Sequence, residues 1–174
     1  MSEVSLLRDQ LKQSQAFINM MLADLTLEQA NWAPPGEANP IGATLAHIYE
    51  GEDLFVSDRL RGGTTVGADG QKFGLSEAPD SYLPGKWQDW ARRVKVESLA
   101  ELNAYGAEVF SATDEYLASL SDEDLSRVID FPDARLGKWT LAWWISNRLL
   151  AHRVSHWGEI SCLKGLQGGK GYVL

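Results

Sequence analysis

Histidine is the residue type in this sequence whose spacing most directly indicates chemistry. The chain of 174 residues contains three histidines, and two of them, His152 and His156, lie four positions apart in the stretch AHRVSHWGEI. Residues at this spacing are neighbours on one face of a helix, so the pair presents two imidazole nitrogens to one cation. His47 is the candidate third ligand. Three neutral imidazoles with a water form a typical catalytic zinc site, and nickel is an alternative because imidazole binds several late divalent ions.

The apolar stripe around the pair predicts that both histidines face the protein interior. On a helical projection, His152, His156 and Glu159 fall within the stripe, whereas Arg153 and Lys164 fall outside it. A single buried histidine is most often a core residue with an ordinary hydrogen bond. Two inward imidazoles beside a carboxylate need a common partner, because an unpaired buried polar group costs about 1–3 kcal/mol. We therefore interpret the three histidines as metal ligands.

Two glutamates are candidates for proton transfer or for orienting a ligand. Glu159 follows His156 by one helical turn, and Glu50 follows His47 in the same way. Carboxylates in such positions orient ligating imidazoles or act as a base near a metal-bound water. Glu50 has an alternative interpretation as a solvated surface charge. We predict Glu159 and Glu50 as the catalytic residues.

Four segments have the apolar periodicity of amphipathic helices and would position these side chains. They are predicted at about 3–25, 40–60, 98–120 and 140–164. The second segment begins at Asn39 and Pro40, an N-cap residue followed by proline at the first helical position. The third begins at a capping box formed by Ser98 and Glu101. Gly165 is the predicted C-cap of the fourth segment.

The predicted fold class is all-α. No segment alternates polar and apolar residues with period two for long enough to predict a sheet. Four long amphipathic helices in a chain of this length predict a single domain over residues 1–174, folded as a four-helix bundle. The link between the second and third helices, residues 63–97, is long enough for a crossover connection. Trp87 and Trp90 in this link are predicted to form a short helix that covers one end of the bundle.

Composition and charge exclude several classes of partner. The formal net charge is −8 and no basic stripe is present, which excludes nucleic acid and an anionic membrane surface as partners. No window approaches the roughly 18 apolar residues of a membrane span. The N-terminus MSEVSLLRDQLKQ lacks the apolar region of a signal peptide, and a single cysteine, Cys162, precludes an internal disulfide, so we expect a cytoplasmic protein. We expect Cys162 to be a small buried residue.

Three stretches together resemble a known family. The histidine within GATLAHIYEGE, the AHRVSHWGEI stretch and the run NWAPPGEANPIGATLAH resemble the DinB-like (YfiT-like) metalloenzyme superfamily, a metal-binding family and not the DNA polymerase that shares part of the name. The resemblance extends over essentially the whole chain. It implies a four-helix bundle with a long crossover connection and a zinc or nickel site formed by His47, His152 and His156. It also implies a homodimer, the state of many relatives.

The resemblance further implies a function. The best-understood members are transferases that use low-molecular-weight thiols, including bacillithiol and mycothiol, and some are mycothiol-dependent isomerases. We therefore expect a metal-dependent thiol S-transferase that acts on a small-molecule substrate. The alternatives are a metal-dependent hydrolase or isomerase, and a metal-stabilised binding module without turnover. An exchangeable ligand on the metal distinguishes the enzymes from the binding module.

Overall fold

The computed structural model describes residues 1–67, 70–79, 86–131 and 137–171, and it is mostly helical. The helices are α1 (Glu3–Leu22), α2 (Leu27–Asn31), α3 (Ile41–Asp53), α4 (Lys86–Arg93), α5 (Leu99–Ala118), α6 (Leu141–Trp144) and α7 (His152–Leu166). Two π-helical segments, Leu54–Leu60 and Ile145–Ala151, directly follow α3 and α6. Such π-helical turns within longer helices often occur at functional sites. Within the described ranges, no helix is both long enough and apolar enough to span a membrane.

Side-chain caps determine where two of the longer helical units begin. The hydroxyl groups of Ser98 and Thr140 accept hydrogen bonds from the backbone N–H groups of Glu101 and Trp143, each at 3.2 Å. These bonds satisfy donors that have no partner within the first helical turn. The predicted start of the third helix at Ser98 is therefore confirmed.

Two other predicted helix boundaries are wrong. Helix α3 begins at Ile41, with Pro40 as its N-cap residue and no side-chain cap, so Asn39 does not have the predicted role. Helix α7 continues past Gly165 to Leu166, and the glycine with a left-handed backbone is Gly168, at φ +75°. Only a residue without a Cβ adopts this conformation without strain, so the glycine that follows the helix end in the left-handed conformation is Gly168 and not Gly165.

A small antiparallel sheet departs from the all-α prediction. Strand β1 (Val128–Asp130) pairs with β2 (Lys138–Thr140), with Val128 opposite Thr140 and Asp130 opposite Lys138. Each strand has three residues, which is too short to produce a recognisable alternation of polar and apolar side chains. The fold is therefore mostly helical with one short hairpin that leads directly into α6.

Helix α3 is held between two neighbours. It packs against both α5 and α7, and α1 packs against the same two helices. The buried apolar residues around α3 include Ile48, Tyr49, Leu102, Val109 and Ile160. Burial of each such side chain contributes about 1.5–3 kcal/mol. A Cβ on Gly106 of α5 would lie 2.4 Å from the Tyr49 ring, so glycine at that position permits the close approach that fixes α3 on α5.

Partly buried polar contacts attach both ends of the long link between α3 and α5. At its start, the Asp53 carboxylate accepts hydrogen bonds from the backbone N–H groups of Val66 and Gly67, each at 2.9 Å. At its end, the side-chain amide of Asn31 donates to the carbonyl of Val96 and accepts from its N–H, each at 2.8 Å. Hydrogen bonds to a charged group contribute about 1.5–3 kcal/mol each. The link is therefore anchored at both ends. Its residues 68–69 and 80–85 lie outside the described residues, so the predicted crossover path also lies partly outside them.

Candidate metal centre

The three histidines converge between α3 and α7. Nε2 of His152 is 3.1 Å from Nε2 of His47 and 3.2 Å from Nε2 of His156. One nitrogen of each ring lies within 4.8 Å of the other two. All three residues are half-buried. The side chains thus meet as their spacing predicts, in a group that can hold a metal ion.

Glu159 determines which nitrogen of His156 carries a proton. Its Oε2 lies 2.7 Å from Nδ1 of His156, and an ionised carboxylate only accepts hydrogen bonds. Nδ1 of His156 is therefore a donor, and when the ring is neutral its Nε2 directs a lone pair towards the other two histidines. A carboxylate behind a ligating imidazole is the common arrangement at metal sites, where it fixes both tautomer and orientation.

The two short nitrogen–nitrogen contacts cannot both be hydrogen bonds when the rings are neutral. If Nε2 of His152 carries a proton, its single N–H is directed at either His47 or His156 and leaves the other contact without a donor. If His47 carries the proton instead, the contact between His152 and His156 joins two lone pairs. Lone pairs held at such distances are stabilised by a cation between them. The cluster is therefore electrostatically incomplete on its own.

Burial keeps two of the three rings neutral at pH 7. Desolvation lowers the pKa of His47 to about 4, and the charges of His156 and Arg148 act in the same direction. Desolvation likewise lowers the pKa of His152 to about 3, with further contributions from the neighbouring histidines and from Arg148. An imidazole must be deprotonated to bind a metal. These two rings therefore need no proton release before they can act as ligands.

The donor set fits a late divalent ion. Two nitrogens bound at about 2.0–2.1 Å to a tetrahedral ion lie about 3.3–3.4 Å apart. The distances of 3.1 and 3.2 Å between the Nε2 atoms are close to this value. Three imidazoles suit zinc and nickel alike. Three protein ligands also leave a coordination position for a water or a substrate, as in catalytic zinc sites.

Helix α4 covers the His47 side of the cluster. The ring of Trp87 lies 4.8 Å from the ring of His47 and 4.9 Å from that of Trp90, measured between centroids. Trp90 is fully buried, and its indole N–H donates to the carbonyl of Ala78 at 3.0 Å. The predicted short helix that carries the two tryptophans is thus present. It shields the imidazole of His47 from water.

The two predicted catalytic glutamates occupy different places. Glu159 reaches the cluster through His156, and its side chain remains 57% exposed. Glu50 lines a cavity of about 190 Å³ together with Asp53 and Tyr105. One Glu50 carboxylate oxygen is buried, which argues against the interpretation as a solvated surface charge. A catalytic role of either residue stays a prediction.

A buried ion pair beside the histidines has no counterpart in the sequence predictions. Arg153 donates from Nε to the Glu52 carboxylate at 2.7 Å, and its Nη2 contacts the other carboxylate oxygen. Both side chains are 2% exposed. The Thr113 hydroxyl also donates to Glu52, at 2.6 Å, and Nη1 of Arg153 donates to the Leu11 carbonyl at 3.1 Å. This network joins α1, α3, α5 and α7, although Arg153 lies outside the apolar stripe of its helix.

Cys162 and Lys164 each lie in the environment opposite to the one their type suggests. Cys162 is exposed, so the prediction of a small buried residue is wrong. It falls outside the arc of buried residues on α7, to which Leu163 belongs. Lys164 is 1% exposed, and its Nζ donates to the Met21 carbonyl at 2.6 Å and to the Asp24 carboxylate at 2.5 Å. The lysine is buried because its charge has two partners at the end of α1.

Comparison with known proteins gives a family and a fold. The family model of the DinB superfamily matches residues 10–160. The crystal structure of a conserved protein from Enterococcus faecalis is similar, with a TM-score of 0.80, 95% of this chain and 97% of that chain covered, and 21% sequence identity. At that identity the likeness concerns the fold alone. None of the curated proteins compared with the chain matches it.

Proposed function

Since this chain belongs to the DinB superfamily, we propose that His47, His152 and His156 hold one divalent ion, zinc or nickel, and that the protein is a thiol S-transferase. The observation that carries this proposal is the convergence of three Nε2 atoms whose protons cannot satisfy both short contacts. A cation at their centre removes this conflict. The histidine group and family membership support metal binding, and the transferase activity extends the family resemblance.

The architecture in this proposal is a four-helix bundle with a long crossover connection. Its four units are α1, α3 with the following π-helical segment, α5, and the unit from α6 to α7. The packing of α1 and α3 against α5 and α7 supports this arrangement. We further take residues 1–174 as one domain of a cytoplasmic homodimer, with no nucleic acid or membrane as partner.

An external thiol is the nucleophile in this proposal. A bound divalent ion lowers the pKa of a thiol or water, so that a nucleophile exists at neutral pH. The chain has one cysteine, Cys162, and it is not part of the histidine group that can hold an ion. The sulfur that reacts must therefore come from a low-molecular-weight thiol co-substrate.

The side chains around the three histidines have separate roles in this proposal. Glu159 holds the Nδ1 proton of His156 and so keeps Nε2 available as a ligand atom. Trp87 excludes water from the His47 side. Glu159 or Glu50 would accept the proton released when the thiol binds, since both are carboxylates within one turn of a proposed ligand.

The test is to load the protein with zinc or nickel and to offer bacillithiol, mycothiol, glutathione and coenzyme A, each with a reactive chloro-aromatic compound. We expect one thiol to be consumed well above the rate of the His152→Ala variant. Glu115→Ala, which alters an exposed glutamate of α5 outside the histidine cluster, is the control and should retain the full rate.

Other outcomes separate the alternatives. Metal binding without consumption of any thiol would overturn the transferase proposal and favour a hydrolase, an isomerase or a binding module. Equal thiol consumption by the wild-type protein and His152→Ala would show that the reaction does not depend on the histidine cluster.

A further inference from the structure

A cavity of about 420 Å³ lies at the end of α7, and its lining includes Glu159, the hydrogen-bond partner of His156. Its wall combines the segment between α2 and α3 with one side of α3 and the last turns of α7. The lining is mainly apolar and includes Pro34, Pro35, Ala38, Leu163 and Leu166. The volume lies within the range of small-molecule sites, about 300–1,000 Å³, and apolar walls with a few polar groups are typical of them.

The charges around this cavity disfavour an anion. Glu37 and Glu159 are its charged lining residues, and none of the lining residues is lysine, arginine or histidine. Glu37 forms an ion pair with Arg92 of α4, which offsets its charge. Glu159 therefore provides the main charge at the wall, and it would repel a carboxylate or phosphate placed there.

The cavity lies one helical turn from the proposed metal ligands on both helices. Thr44 precedes His47 by one turn of α3, and Glu159 follows His156 by one turn of α7. Both Thr44 and Glu159 line the cavity. Glu159 thus faces the cavity and, through its 2.7 Å contact with Nδ1, also holds His156. A molecule in the cavity touches the same carboxylate that orients a ligand.

We infer that this cavity binds a small, largely apolar molecule that is neutral or cationic. The assignment of this molecule as the electrophile, and not as the polar thiol, rests on the proposed function. The inference that the cavity binds such a molecule is independent of the proposed function. The cavity wall thereby selects the substrate class: aromatic or aliphatic compounds without an acidic group enter, and carboxylates of the same size do not.

The chain contains its own reporter for this binding. Cys162, the one cysteine of the sequence, is exposed and lines the cavity. The experiment measures the rate at which a maleimide alkylates Cys162 in the presence of naphthalene, 1-naphthylmethylammonium or 1-naphthoate. A bound molecule slows the reaction by the factor 1 + [L]/Kd, about 11-fold at ten times Kd. We expect saturable protection by the neutral and cationic probes and none by 1-naphthoate.

Two variants test whether the protection of Cys162 comes from binding in this cavity. Leu166→Glu adds a carboxylate to the wall and should weaken protection by naphthalene. Leu27→Glu is the matched control, because Leu27 is also an exposed leucine but lies on α2 outside the cavity, and it should leave protection unchanged. Absence of protection by all three probes would overturn the inference, and so would equal protection by 1-naphthoate.

Metal content measured on the same samples separates this inference from the proposed function. Protection in a protein that binds no metal would support the cavity as a ligand site while removing its assignment as the electrophile site. Full metal content without protection would overturn the cavity inference and leave the metal centre intact.

Discussion

Helices α3 and α7 carry two polar clusters, and only one of them is completed by the protein. In the ion pair of Glu52 and Arg153, opposite charges meet, and Thr113 and the Leu11 carbonyl provide further partners. In the histidine cluster, three groups of one kind meet, and their short contacts cannot all be paired. The first cluster therefore stabilises the helix packing, whereas the second is a group that could hold a cation from solution.

The ion pair also positions the histidines. Arg153 directly follows His152 in α7, and Glu52 lies on the same helix as His47. A bidentate contact between a guanidinium and a carboxylate restricts both separation and rotation of the two helices. The completed cluster thus holds the incomplete one in place before any metal binds.

The largest effect should come from breaking the completed cluster. Arg153→Met leaves the Glu52 carboxylate buried without its cation, and removal of one partner of a buried pair costs about 3–5 kcal/mol. Urea denaturation of the chelated protein measures this loss. The double variant Glu52→Leu, Arg153→Met removes both charges and should recover part of it. A loss below about 1 kcal/mol for the single variant would contradict a stabilising role.

Removal of the metal should have a smaller effect on stability. A ligand that binds only the folded state stabilises it by about 2.7 kcal/mol at a concentration of 100 times Kd. A chelator should therefore lower the melting temperature of the wild-type protein and leave that of His152→Ala unchanged. The chelated protein should still unfold cooperatively, because its apolar core and ion pair remain. Loss of the cooperative transition would show that the metal is structural.

Removal of the carboxylate behind His156 should lower the metal affinity of the histidine cluster. Without Glu159, the tautomer and orientation of His156 are no longer fixed, and loss of such a partner lowers metal affinity about 10–100-fold. Competition with a zinc chelator measures the change in Glu159→Ala. Glu115→Ala, which alters an exposed glutamate of α5, is the control. Equal affinities of the two variants would show that Glu159 has no part in metal binding.

A further effect concerns the pH dependence of stability in the protein without metal. Unfolded histidines bind protons near pH 6.5, whereas the folded pKa values of His47 and His152 are lowered to about 4 and about 3 by burial. Between pH 6.5 and 4 the unfolded state binds more protons, so the free energy of unfolding falls as the pH falls. Denaturation at pH 7.5 and pH 5 with a chelator should show this decrease. A variant with both residues changed to glutamine should show less of it; an equal decrease would exclude these histidines as its source.

The histidine cluster and most helices could be predicted because their signals are local. His152 and His156 lie at helical spacing, His47 is the one other histidine, and the Ser98 cap precedes its helix directly. The family resemblance implied the same three ligands. The pair on α7 and the Ser98 cap depend on residues within a few turns of each other, where sequence pattern and structure correspond closely. The contact of His47 with His152 spans 105 positions, and it could be predicted because His47 is the one histidine outside that pair.

The features that were missed depend on contacts distant in sequence. Arg153 resembles a solvated helical residue until Glu52, 101 positions away, provides its partner. Lys164 is buried for the same reason, with Met21 and Asp24 as partners. Cys162 is small and apolar, but only the packing of α7 determines that its side is exposed. Side-chain type alone does not identify such partners.

The metal content of the three histidine variants tests the central claim most directly. After dialysis against a competing chelator, the zinc or nickel bound per chain is determined by elemental analysis for the wild-type protein and for His47→Ala, His152→Ala, His156→Ala and Cys162→Ala. If the three imidazoles share one ion, the wild-type protein and Cys162→Ala retain about one ion per chain, and each histidine variant loses most of it. Full occupancy in His47→Ala would contradict the shared site, because α7 would then bind the ion without α3.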